Sequence, residues 1–156
     1  MIRLASEQDL PAIAAIYEAI LDHEDATGLH YTGWQRGAYP TLDTAKGILA
    51  AGTLYVGTDE DGTVWGSMNF NDWQLPEYAK GRWTIPAEDS EVAVIHTLTI
   101  DPKRAGQGLA RQMIAFAEDS ARKQGKTVMR CDTGTENEVS NHLYPAIGYH
   151  LADVVD

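Results

Sequence analysis

Apolar positions change period several times along the chain, and each change marks an element. Ile2 to Ala5 is a short strand-like run. From Leu10 the apolar residues adopt helical spacing, with Leu10, Ile13, Ile16, Tyr17, Ile20 and Leu21 on one face. Pro11 belongs in the first turn of that helix, which makes Asp9 the expected N-cap rather than Ser6. A loop over residues 24–40 follows, and Thr41 or Asp43 then caps a short helix ending near Gly52. Thr53 to Gly57 and Val64 to Phe70 read as strands joined by Asp61-Gly62, a strong hairpin signal. Beyond a second long loop over 71–91, Val92 to Ile100 reads as a mostly buried strand, rich in β-branched residues and stopped by Asp101-Pro102. Period two puts His96 on the same face as Val94 and Leu98. After Gly106 and Gly108 the helical period returns, with Leu109, Met113, Phe116, Ala117 and Ser120 on one stripe. A strand near Thr127 to Asp132, a helix from about Asn137 to Gly148, and a last strand over Tyr149 to Val155 complete the expected elements.

A strand, a glycine loop and a helix in that order form a phosphate cradle. The first N–H groups of a helix lack internal partners, and the helix dipole adds partial positive charge there. Gly106 and Gly108 allow close approach of an anion, and Lys103 and Arg104 bring two cations to the same place. A P-loop needs Gly-Lys-Ser/Thr, which is absent. A dinucleotide fingerprint needs a third small residue where Arg111 stands, and a parallel sheet that the Asp61-Gly62 hairpin argues against.

The run PKRAGQGLARQMI instead resembles the acyl-CoA-binding motif of the GCN5-related N-acetyltransferase (GNAT) family, Q/R-x-x-G-x-G/A after a strand. Gly108 and Ala110 match its last two fixed positions. Ala105 stands where Gln or Arg is usual, with Arg104 one residue early. NEVSNHLYPAIGY resembles the family's N-x-x-A-x-x-L-Y-x-x-x-G-F, through Asn137, Ser140, Leu143, Tyr144, Gly148 and Tyr149. The resemblance covers nearly the whole chain from Ile2 to Tyr149 and implies one domain over 1–156. It implies an α/β fold: a mixed, mostly antiparallel central sheet, helices on both faces, splayed at the strand before the glycine loop. It also implies an acyltransferase that moves an acetyl group from acetyl-CoA, as co-substrate, to an amine. A small-molecule acceptor is favoured over a protein, and the expected route is direct attack within a ternary complex. The reading kept beside it is a non-catalytic acyl-CoA-binding sensor or interaction module of the same fold.

Site roles follow from the resemblance residue by residue. The pantetheine arm would lie along the backbone of Leu98, Thr99 and Ile100, the Leu98 N–H polarising the thioester carbonyl. The loop Arg104, Ala105, Gly106, Gln107, Gly108, Leu109 and Ala110 would hold the pyrophosphate. Asn137 would contact the pantetheine or cap the last helix, and Tyr144 would protonate the departing thiolate. His96, from its chemistry and position, could take the acceptor's proton, with Glu91 the competing base and a hydrogen-bonded core histidine the plainer reading. Three of the four tryptophans lie in the two loops, at 34, 73 and 83. These rings either lid the core or line an acceptor pocket, and Trp34, Tyr78 and Trp83 are the pocket candidates.

Charge and cysteine narrow the picture further. The net charge of −11 argues against nucleic acid. Seven of the twelve Lys and Arg residues nevertheless fall between Lys103 and Arg130, around the cradle, which suits a polyanionic cofactor. A solvated basic helix face explains Arg122, Lys123 and Lys126 equally well. No metal-ligand spacing appears, and no apolar run is long enough for a membrane span. Cys131 reads as a buried thiol in a cytoplasmic protein. The family continues into a further antiparallel strand that no run here supplies. Either the sheet ends short or a partner chain, as in a homodimer, covers that edge.

Overall fold

The predicted strands pair in chain order. In the computed structural model, which describes residues 1–156, β1 (Ile2–Leu4), β2 (Leu54–Thr58), β3 (Val64–Asn71), β4 (Val92–Ile100) and β5 (Val128–Arg130) lie side by side in that sequence. All junctions are antiparallel except β4 with β5, which is parallel. α1 (Leu10–Thr27) and α2 (Leu42–Ala50) pack on one face, against Leu54 and Val56. α3 (Leu109–Lys123) and α4 (Glu138–Ala146) cover the other, against Met68, Phe70, Ala93 and Ile95. The fold is a mixed α/β sheet, mostly antiparallel, with helices on both faces.

Local chemistry explains the helix ends. Asp9 is the N-cap residue of α1, with Pro11 in the first turn. The Asp9 carboxylate itself turns back to accept from the Ser6 N–H and from Arg3, both at 2.8 Å. The Arg3 guanidinium therefore holds the Asp9 carboxyl below the usual carboxylate range. α1 stops at Gly28, whose φ of +72° suits a residue without a Cβ. Thr41 caps α2 through its side chain.

The last expected strand does not form. No strand follows β5, and Tyr149–Val155 is irregular. This segment is held instead by polar contacts to the 80–82 turn: the Arg82 N–H donates to Asp153 at 2.9 Å, and the Lys80 ammonium donates to the Asp156 carbonyl at 3.1 Å. The outer edge of β5 is left without a strand partner.

Candidate active site

β5 pairs with β4 only from Val92 to Val94, so Ile95–Ile100 has no strand partner on that side. A wedge-shaped opening results. A bulge lies on the other side of the same stretch. Asn69 of β3 faces His96 and Ser67 faces Thr99, so two steps on β3 span three on β4. The extra residue is Thr97, at a φ of +47° that a β-branched residue rarely adopts. Its hydroxyl meets that of Tyr39, from the α1–α2 loop.

The bulge reverses which residues share a face. His96 stays with Val94 on the α1 side, but Leu98 and Ile100 turn to the α3 side and pack into its core. The expectation that Leu98 shares a face with His96 is therefore corrected, because one inserted residue breaks the period of two. Thr99 instead points to the α1 side, buried, with its hydroxyl 2.8 Å from that of Ser67. Nearby, the Tyr17 hydroxyl is buried without a hydrogen-bond partner, and burial pushes its phenol up to about 12.

The glycine loop closes one end of the opening. After a short 3₁₀ turn over Pro102–Arg104, Gly106 and Gly108 have φ values of +80° and +74°, and Gly108 is the N-cap of α3. No N–H group from Gly106 through Arg111 donates to a protein acceptor. A Cβ built on either glycine meets no protein atom within 4 Å. The run Gly106, Gln107, Gly108, Leu109, Ala110 is thus an open row of donors at a helix N-terminus. Ala105 stands before it in extended backbone. Arg104 does not add a free cation, because its guanidinium is paired with Asp59. Lys103 and Arg111 are exposed beside the loop.

His96 is held by one nitrogen. Its Nε2 lies 2.9 Å from Asn71 Oδ1 and 3.0 Å from the Trp73 carbonyl, both acceptors. The Asn71 amide cannot be reversed without loss, since Oδ1 also accepts from the Trp73 N–H at 2.9 Å and Nδ2 donates to Asn69. Nε2 therefore carries the hydrogen, and Nδ1 keeps its lone pair. Burial lowers the His96 pKa, with the Trp73 carbonyl and Asp132 opposing. The ring is neutral where an ordinary histidine begins to charge, which suits a base.

Tyr144 approaches from the opposite face. It lies in the last turns of α4, with its hydroxyl beside the Cys131 thiol and its ring 5.4 Å from that of Tyr149. Burial first, and Cys131 next, push its phenol above the ordinary value, so it stays protonated. Cys131 is likewise pushed up to about 12 by burial and is held as a thiol. Asn137 caps α4, its side chain accepting from the Ser140 N–H at 3.1 Å.

Three expected site residues fall elsewhere. Glu91 sits before β4, five residues from His96, or about 16 Å along the strand. Its carboxylate is engaged by Thr127 and the Glu88 N–H, which hold its pKa low. Trp83 lies over the Arg130 guanidinium, 4.0 Å from ring centroid to cation, and donates to the Tyr78 carbonyl. It helps line a cavity of about 270 Å³ at the β5 edge, not the opening. Tyr78 is buried with Val92 and Val94, and only its hydroxyl reaches out, donating to Asp132 at 2.7 Å. Trp34 stands edge-on to Tyr39 at 6.2 Å, on the α1 side. The exposed ring at the opening is Trp73, 55 % exposed and 5.8 Å from the His96 ring. Asn71, Tyr39 and Asp132 are not marked by any local pattern, and Trp73 is marked only as one of three loop tryptophans, because tertiary contacts alone bring them beside His96 and Thr97. No three His, Cys, Asp or Glu side chains are placed to hold a metal.

This architecture matches known proteins. The model of the acetyltransferase (GNAT) family matches residues 14–149. The chain belongs to the GNAT family. It is an acyltransferase by that membership and by its curated relatives. An L-amino acid N-acyltransferase, MnaT, of Escherichia coli K12 is 27 % identical over 95 % of this chain and 78 % of its own. An L-methionine sulfoximine/L-methionine sulfone acetyltransferase of Salmonella typhimurium is 28 % identical over the same shares. A GNAT-family acetyltransferase of Streptococcus agalactiae has the same fold, with a TM-score of 0.79 at 22 % identity over 99 % of this chain and 87 % of that one. So does yncA of Salmonella typhimurium, solved with its cofactor acetyl-CoA, with a TM-score of 0.66 at 24 % identity over 95 % of this chain and 78 % of that one.

Proposed function

We propose that this GNAT enzyme transfers the acetyl group of acetyl-CoA to the amino group of a small molecule, by direct attack within a ternary complex. The observation that carries the reading is the row of unpaired N–H groups from Gly106 to Arg111, beside a strand edge that β5 leaves open. Such donors fit a pyrophosphate, and the open edge of Leu98, Thr99 and Ile100 fits an amide-bearing arm. Acetyl-CoA supplies the activated acetyl group and a leaving thiolate. The Leu98 N–H would polarise the thioester carbonyl, and the protonated Tyr144 phenol would donate to the thiolate from the α4 side. His96 Nδ1 would take the amine's proton from the α1 side. Asn137 would act by setting the start of α4. The Cys131 thiol is a poor nucleophile in its buried state, which favours direct attack over a covalent acyl-enzyme.

A small acceptor agrees with two of the curated relatives, which are named for amino acids or close analogues. No helix is long and apolar enough to cross a membrane. The reading places the enzyme in the cytoplasm with its co-substrate, and the free β5 edge leaves room for a homodimer. The test is thiol release from acetyl-CoA with a panel of amines and amino acids. Turnover above the hydrolytic background with at least one small amine is the expected result. A protein whose melt responds to acetyl-CoA but that acetylates nothing would be a binding module instead.

A further inference from the structure

We infer that Asp132 is a recognition residue for the acceptor, selecting amines with a second positive charge over amines that carry a carboxylate. The inference rests on the acetyl-transfer reading above and sets this chain's acceptor apart from the amino acids for which two curated relatives are named.

The parallel register ends at Val94 beside Arg130, and Asp132 follows two residues later, held on the face of Val92 and Val94 by the Tyr78 hydroxyl. The strands have parted there, so His96 and Asp132 flank the opening on the α1 side. Asp132 Oδ1 accepts the Tyr78 hydroxyl, which anchors the carboxylate, and Oδ2 accepts no hydrogen bond from the protein. Burial lowers the His96 pKa, and the one charged side chain that opposes it is Asp132.

The arginines on this side of the sheet are already engaged. Arg36 is ringed by Glu18, Asp22 and Asp25. Arg130 is 8 % exposed, its guanidinium over the Trp83 ring, with Nη1 donating to Gln74 and Nε sealed from solvent without a partner. A carboxylate on the acceptor would thus meet Asp132 with no cation to pair with. A second ammonium would find a free carboxylate oxygen for a charge-assisted hydrogen bond. The exposed Trp73 ring beside His96 offers a face for that cation or its methylene stem.

The test uses three primary amines of matched length: 1,4-diaminobutane, butylamine and 4-aminobutanoate. Thiol release from acetyl-CoA by the full chain gives kcat/KM for each. The expected order is diamine, then monoamine, then amino acid, with about a tenfold or greater spread that narrows as salt is added. Asp132→Asn keeps an oxygen for the Tyr78 hydroxyl and removes the charge. It should lower the diamine-to-amino-acid ratio about tenfold, and Asp132→Glu should restore part of it. Equal kcat/KM for the three amines, or an unchanged ratio in Asp132→Asn, overturns the inference and leaves acetyl transfer standing. Absence of thiol release with every amine overturns the acetyl-transfer reading and the inference with it.

Discussion

The donor row at the start of α3 can be tested by placing a side chain in it. Gly108 has a φ of +74°, and an added Cβ would meet no protein atom within 4 Å. Gly108→Val therefore brings no clash with the protein. It brings left-handed strain of about 1–3 kcal/mol and a branched group in the space an anion would use. In a chain of this size that strain lowers Tm by about 3–10 °C. Gly125, just after α3, is a matched control: its φ is +79° and its Cβ direction is equally open, but it lies at the other end of the helix. Gly125→Val should cost similar stability without touching the cradle. The assay is a thermal melt with and without acetyl-CoA. At a ligand concentration about 100 times Kd, linkage stabilises the fold by about 2.7 kcal/mol, which raises Tm by roughly 5–10 °C. The wild type and Gly125→Val should show that rise, and Gly108→Val should lose it. A full ligand-induced rise in Gly108→Val would mean that the donor row is not the phosphate site.

Tyr144→Phe keeps the ring contact with Tyr149, so the acetyl-CoA-induced rise in Tm should remain while kcat falls about ten- to a thousandfold; wild-type kcat would remove the phenol from the proton path. For His96, burial lowers the pKa, so the acid limb of kcat/KM should lie below about 6.5 and vanish in His96→Gln, a profile comparison that an unchanged limb would decide against the base assignment. The same shift has a sign for stability: the unfolded chain takes up the proton first, so His96 makes folding less favourable as pH falls from about 6.5 through its folded pKa, and the stability difference between wild type and His96→Gln in denaturant melts should stop changing with pH above that window. Glu24, buried, holds Thr32 through its N–H at 3.0 Å and its hydroxyl at 2.6 Å; Glu24→Ala should cost about 2–4 kcal/mol and speed proteolysis in the 28–40 loop, and equal cleavage would show that the loop is held otherwise.

What the sequence determined by itself is local and periodic. The face of α1 from Leu10 to Leu21, the Asp9 and Thr41 caps, the Asp61-Gly62 hairpin and the strand ending at Asp101-Pro102 all depend on a few consecutive residues, and each forms near where it was read. The glycine loop was legible for the same reason, since positive φ at Gly106 and Gly108 is a property of those residues. The tertiary structure decided whatever depends on register between distant segments. One extra residue at Thr97 sends Leu98 to the α3 side and Thr99 to the α1 side, and no local pattern announces that insertion. Asn71 meets His96 because β3 and β4 pair as they do, and that contact selects the ring nitrogen that keeps its lone pair. Arg104, a cation at the right place in the motif, is occupied by Asp59 from the β2–β3 turn, a partner far along the chain. Tyr149–Val155 has a strand's composition, yet it forms no strand, and its end meets the 80–82 turn through Asp153 and Asp156 instead. Composition sets what a segment can become, and the competition among distant partners for its backbone and charges sets what it does become.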